Sequence, residues 1–101
     1  MRILKEGSNR KELEKDLFTA ILFDNLKKVK DYLRKGVDIN IQDEEGDTPL
    51  IASAVFGFTD IAKYLVDMGA KIDIKNNRGE TALQASIRFD RIETMNFLKT
   101  L

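Results

Sequence analysis

The chain has 101 residues, 43 % of them hydrophobic, with 17 Lys+Arg balanced by 17 Asp+Glu. That is one domain with enough apolar residues for a core, and no net charge to draw it to nucleic acid or to an anionic membrane surface. It contains no cysteine and no histidine. That excludes disulfides, Cys-His and Ser-His nucleophiles and the usual zinc sites, and suits a reducing compartment, so a cytoplasmic location is expected.

Read in chain order, the N-terminal stretch MRILKEGSNRKELEKD is charged throughout and lacks the apolar stretch of a secretory signal. No apolar run approaches the roughly 20 residues of a membrane span. Asn9 and Glu12 have capping-box spacing, and one longer helix is expected to run to Phe23. A second helix follows from about Leu26 to Lys35, stopped by Gly36. Thr48-Pro49 is a strong helix start, because the Thr hydroxyl can cap and Pro fits the first helical position. A short helix then runs from Leu50 to Phe56, broken at Gly57. The next begins near Thr59-Asp60, with Ile61, Ala62, Leu65 and Val66 at helical spacing, and Gly69 ends it as a left-handed residue. The stretch from Ala70 to Gly79 is extended, with Asn76, Asn77 and Gly79 as a turn. Thr81 caps a helix to about Phe89, and Asp90 with Glu93 has the spacing to cap the last one.

These elements repeat. Gly46 and Gly79, Thr48 and Thr81, Leu50 and Leu83, Ala52 and Ala85, and Leu65 and Leu98 are all 33 residues apart, and the same step relates Gly36 to Gly69 and Leu17 to Leu50. A fixed period of this length implies stacked units, each burying its apolar face against a neighbour, and such arrays usually serve as surfaces that hold another protein. Terminal units must be polar where internal ones are apolar. The position of Ile61 is Lys28 in the first unit and Thr94 in the third, and Val66 becomes Lys99. Both ends are therefore expected to be caps of a complete three-unit array.

The run Asp43-Glu-Glu-Gly-Asp-Thr-Pro-Leu50, followed by Ala52, Ala54, Gly57, Ile61, Leu65 and Gly69-Ala70, closely resembles an ankyrin repeat, and the resemblance covers about residues 16–101. It implies an all-α solenoid of about three stacked helix-turn-helix units with projecting turns. A single domain, 1–101, would divide into an N-terminal capping unit (1–42), a central full repeat (43–75) and a C-terminal capping repeat (76–101). The first unit lacks the turn, with Leu13 and Lys15 where Gly46 and Thr48 would fall. The family's usual His after Thr-Pro-Leu, which ties neighbouring turns together, is replaced by Phe18, Ile51 and Gln84.

Signals for chemistry are nearly absent. Gly46, Gly57 and Gly69 are single glycines with turn or cap roles, not a phosphate-binding loop. Asp38-Xaa-Asn40-Xaa-Gln42 begins like a calcium loop, but Asp43 stands where the loop needs Gly and Ala54 where it needs an acidic ligand. No enzyme activity, cofactor or metal is expected.

The candidate site is a surface. Phe23, Phe56 and Phe89 are 33 residues apart, so each unit carries one ring in the same place, which the resemblance puts near the end of the first helix, at the concave side. The rings are either an exposed stripe that anchors a partner or a ladder buried between helix pairs, and spacing alone leaves both open. Val55 and Arg88 neighbour the row. The turns supply Glu44, Glu45 and Asp47, strongly acidic with Asp43, and Arg78 and Glu80, nearly neutral with Asn76 and Asn77. An acidic tip beside an apolar row suits a partner with basic residues around a hydrophobic centre. The basic run Lys27, Lys28, Lys30, Arg34 and Lys35 is expected to be a solvated helix face. The expected function is protein–protein interaction by a monomer through the concave face and turn tips. The alternatives are an inhibitor or immunity-type protein that blocks a basic enzyme, and a structural homodimer.

Overall fold

The computed structural model describes residues 6–101, with side chains from Arg10 onward. Six helices follow one another: α1 (Glu6–Leu22), α2 (Leu26–Arg34), α3 (Pro49–Phe56), α4 (Thr59–Asp67), α5 (Ala82–Arg88) and α6 (Ile92–Lys99). No strand occurs among the described residues. The helices form three helix-turn-helix pairs. The first helices α1, α3 and α5 pack side by side as one layer and the second helices α2, α4 and α6 as another, so the chain is an all-α repeat solenoid.

Local chemistry sets these boundaries. Thr48 and Thr81 hold extended backbone, and their hydroxyls accept hydrogen bonds from the amides of Ile51 and Gln84, satisfying donors that a helix start leaves open. Gln84, at the family's His position, returns the favour: its Oε1 accepts from the Thr81 amide at 2.9 Å and completes a capping box. Asn25 caps α2 by accepting from the Lys28 amide. Gly69 ends α4 at a φ of +95°, the left-handed terminus expected of it.

Two expected caps are corrected. Helix α1 already begins at Glu6, so Asn9 lies inside it, and the Asn9 side chain falls outside the described residues. Asp90 does not cap α6. It holds φ +57°, matching Gly57 at +75° and Asp24 at +54° in the same repeat position. The N-cap of α6 is Arg91, with no side-chain cap bond. Each helix pair thus turns on one left-handed residue, which Asp tolerates better than most L-residues.

The core runs between the two helix layers. Leu17, Ile21, Val29, Leu50, Ile51, Ile61, Ala62 and Leu65 are almost wholly removed from solvent, and each large aliphatic among them contributes about 1.5–3 kcal/mol by its burial. Thr94 departs from expectation. It is fully buried rather than a polar end-cap residue, and its hydroxyl lies 2.6 Å from that of Thr59, also buried. A buried hydroxyl is tolerable when it has a hydrogen-bond partner, and here the partner comes from the neighbouring unit. Lys28 and Lys99 are exposed, as anticipated.

Candidate partner-binding surface

The three phenylalanines are exposed. Each stands at the C-terminal end of a first helix: Phe23 just after α1, Phe56 at the end of α3, and Phe89 just after α5. Phe23 is 73 % exposed, and Phe56 and Phe89 are 38 % exposed each. Leu22 beside Phe23 is exposed as well. The row is graded in how far other side chains cover it. Phe56 stacks on Phe58, with ring centroids 5.7 Å apart. Phe89 lies under the Arg88 guanidinium, 4.2 Å from the ring centroid. Val55 is half-buried against the core. The open end of the row is therefore Leu22–Phe23.

Arg88 joins the row to a turn. Its Nε donates to Glu80 Oε2 at 2.6 Å and its Nη2 to Glu80 Oε1 at 3.2 Å, a two-pronged pairing that fixes the guanidinium plane. In the third unit the predicted residues Glu80, Arg88 and Phe89 thus form one contiguous group. In the second unit the corresponding residues Asp47, Val55 and Phe56 are not linked this way, because Val55 has no charge to reach the turn.

The two turns are built alike. The Asp43 carboxylate accepts from the amides of Glu45 and Asp47, and Asn76 Oδ1 accepts from those of Arg78 and Glu80. This side-chain closure is the reason Asp or Asn stands at the first turn position. The turns are also tied to each other without a histidine. Asn77 donates its side-chain amide to the Glu44 carbonyl and its backbone amide to the Glu45 carbonyl. Asn76 Nδ2 donates to Asp47 Oδ1 at 2.9 Å, and Gln42 Nε2 bridges the carbonyls of Gly46 and Lys75. The approach is close enough that a Cβ on Gly46 would stand 2.7 Å from the Asn77 backbone nitrogen.

These ties sort the predicted turn residues. Asp47 and Glu80 have their carboxylates engaged within the molecule. Burial holds the Asp47 carboxyl above the usual Asp range, with Asp43, Glu45 and Glu80 adding to the effect against the Asn76 hydrogen bond. The Arg88 hydrogen bond holds Glu80 below the usual Glu range. Glu44, Glu45 and Arg78 are exposed and enter no ion pair among the described residues.

Sequence reasoning missed a second repeated contact. Lys30 Nζ lies 5.1 Å above the Tyr64 ring and Lys63 Nζ 5.8 Å above the Phe97 ring. Both partners advance by 33 residues, so each second helix lays a lysine over an aromatic ring of the next. The signal was present in the spacing but split between Tyr and Phe. Of the basic run read as solvated, Lys30 and Lys35 cover rings and Arg34 pairs with Asp31. Among the described residues no group of His, Cys, Asp or Glu could hold a metal ion, and no helix is long and apolar enough to cross a membrane.

Comparison with known proteins agrees with this architecture. A family model described as ankyrin repeats (3 copies) matches residues 17–100, and the chain belongs to the ankyrin-repeat family, whose repeats are protein–protein interaction modules. Protein phosphatase 1 regulatory subunit 27 of Homo sapiens is 42 % identical over 64 residues, which are 63 % of this chain and 42 % of that protein. A putative ankyrin repeat protein of Rickettsia bellii is 33 % identical over 90 residues, 83 % of this chain and 54 % of that protein. One of Coxiella burnetii is 37 % identical over 92 residues, 81 % of this chain and 27 % of that protein. The chain spans about half or less of the length of these relatives.

Proposed function

We propose that this protein works by binding, without chemistry of its own, and that it holds a partner protein in the cytoplasm against the face made by its first helices and turns. The observation that carries this reading is the exposure of the phenylalanine row. Three rings repeat at one position, and one of them is 73 % exposed beside the exposed Leu22, adjoining apolar surface of the kind that marks interaction sites. Phe23 is the proposed anchor, because a large aromatic that becomes desolvated at the centre of an interface dominates binding energy. Phe56, Phe89 and Val55 extend the stripe. Glu44 and Glu45 are proposed to add free negative charge at the first turn, which would favour a partner that also carries Lys or Arg. Arg78 is proposed to adjust this margin at the second turn, and Arg88, held by Glu80, to widen the platform beside Phe89. Asp47 and Glu80 act indirectly, by fixing the turns. A rigid platform limits the entropy lost on docking.

A second, narrower reading is regulation of an enzyme through the same face, favoured by the similarity to a protein named as a phosphatase regulatory subunit. One experiment addresses both. Wild type and a Phe23→Ser variant are used as baits in cell lysate, with circular dichroism on each. The expected outcome is an unchanged helical spectrum and loss of a captured protein. Weaker capture by a Glu44→Gln/Glu45→Gln bait, together with release by high salt, would place these charges in the contact, and assay of the captured protein for catalysis tests the narrower reading. Equal capture by both baits would overturn the role of the stripe.

A further inference from the structure

The row of phenylalanines has a step, and the step selects what can lie along it. The first helices α1, α3 and α5 pack side by side, and helices in such contact have axes about 8–10 Å apart. Phe23, Phe56 and Phe89 hold one repeat position, so the rings recur at about that distance. Two turns of an α-helix rise about 10.8 Å, and residues seven apart share one face. A helix laid across the three first helices therefore brings an apolar residue to each ring. An extended segment does not. Three residues of strand also cover about 10 Å, but residues three apart point to opposite faces.

The edge beside the row is acidic. The rings stand where each first helix ends and a short turn leads into the second. Asp24 and Asp90 directly follow Phe23 and Phe89, and Asp60 and Glu93 share one position in the first turns of α4 and α6. All four are exposed and enter no ion pair among the described residues. Against them stand Lys27, which is exposed, and Arg91. Arg91 is committed within the molecule: its Nε donates to the Val55 carbonyl, and its side chain lies across Gly57. A helix start favours acidic residues in its first turn, which accounts for Asp60 and Glu93. It does not account for Asp24 and Asp90. Their left-handed backbone is held equally by Gly57 in the second unit, so the turn has no need of the charge.

We propose that the row receives a basic amphipathic helix of the partner protein, with apolar residues seven apart over Phe23, Phe56 and Phe89 and with Lys or Arg directed to Asp24, Asp60, Asp90 and Glu93. The proposal rests on the reading of the row as the binding surface and names its occupant. Charge disfavours the others. An anionic membrane surface or a nucleic acid would meet carboxylates, and a second copy paired face to face would set one acidic edge against another.

The probe is a labelled synthetic peptide of about 18 residues, long enough to span the three rings as a helix, with Leu along one face and Lys beside it. A twin carries Glu in place of every Lys. Fluorescence anisotropy with the full chain at low ionic strength should show the Lys peptide binding at least about tenfold more tightly than its twin. Phe23→Ser should weaken the Lys peptide by about tenfold or more. Asp24→Asn/Asp90→Asn, which keeps residues that accept left-handed backbone, should weaken it by about threefold to tenfold and flatten its salt dependence. Equal binding of the two peptides would overturn the proposal. So would binding of the Lys peptide that Phe23→Ser leaves unchanged, which is charge attraction alone. If neither peptide binds while capture from lysate still depends on Phe23, the basic helix is wrong and the binding surface stands; if that capture is also indifferent to Phe23, both fall. Flotation of the chain with phosphatidylserine vesicles, or sedimentation as a dimer that Phe23→Ser dissociates, would give the row to another occupant and equally overturn the proposal.

Discussion

The junction between the first and second units and that between the second and third solve the same packing problem with different chemistry. At the first, the first unit brings the buried aliphatics Leu17, Ile21 and Val29 to the common core, and Ile61 stands in the second unit where Thr94 stands in the third. Lys30 lies over Tyr64 there. At the second, small residues such as Ala54 let the helices approach, and polar ties hold them. Thr59 meets Thr94, Arg91 Nε caps the C-terminal end of α3 by donating to the Val55 carbonyl at 2.9 Å, and Asn76, Asn77 and Gln42 bind turn to turn. The first unit has no projecting turn, so turn-to-turn bonds are closed to it. The lesson is that the period fixes where units touch and leaves the means of contact free. An aliphatic junction is strong and tolerant of small shifts. A junction of directed hydrogen bonds holds one register.

The largest effect is expected at the aliphatic junction. Ile21→Ala removes a fully buried side chain and should cost about 2–5 kcal/mol, a large part of the about 5–15 kcal/mol that stabilises a domain of this kind. Denaturant unfolding followed by circular dichroism measures it. A loss under about 1 kcal/mol would mean that the first junction is not the aliphatic core described.

The polar junction should respond less and in a non-additive way. Thr94→Val leaves the Thr59 hydroxyl buried without a partner, at about 1–3 kcal/mol. Adding Thr59→Val removes the orphan and should recover most of that loss, turning the second junction toward the chemistry of the first. Additive losses in the double variant would show that the two hydroxyls do not act as a pair.

This pair also shows where the sequence is legible and where it is not. Thr48-Pro49, Thr81 and Gly69 mark helix ends by backbone chemistry that acts within a few residues, and the structure places them as read. Asp90 carried two conflicting signals: its carboxylate suggested a cap, while its equivalence to Gly57 marked a left-handed turn, and the backbone requirement prevailed. Thr94 was misread because a polar residue is acceptable in a core once a partner exists, and Thr59 lies 35 residues away. The spacing of Phe23, Phe56 and Phe89 declared that the three are equivalent. It was silent on burial, which depends on what covers each ring: Phe58 beside Phe56, Arg88 over Phe89, and little over Phe23.

The smallest effect should come from the turn tie, and it has a pH signature. Burial disfavours the ionised Asp47 carboxyl in the folded protein, so its pKa stands above the ordinary 3.8. Below 3.8 the group is protonated in both states and carries no penalty. As pH rises through the raised value, the folded state bears the cost of a charge that the unfolded state carries freely. Asp47→Asn keeps an oxygen to accept from Asn76 and removes the charge, so it should raise the unfolding midpoint slightly near pH 7 and lose that advantage below pH 3.8. Glu80 runs the other way. The Arg88 hydrogen bond lowers its pKa from 4.5, so its contribution is fully present above 4.5 and is lost as pH falls through the lowered value, and Glu80→Gln should destabilise near neutrality. Thermal melts of the two variants from pH 3 to 7 should therefore diverge from wild type in opposite directions as pH rises. Parallel curves would show that Asp47 and Glu80 each bind protons alike in the folded and unfolded states, against the shifts described.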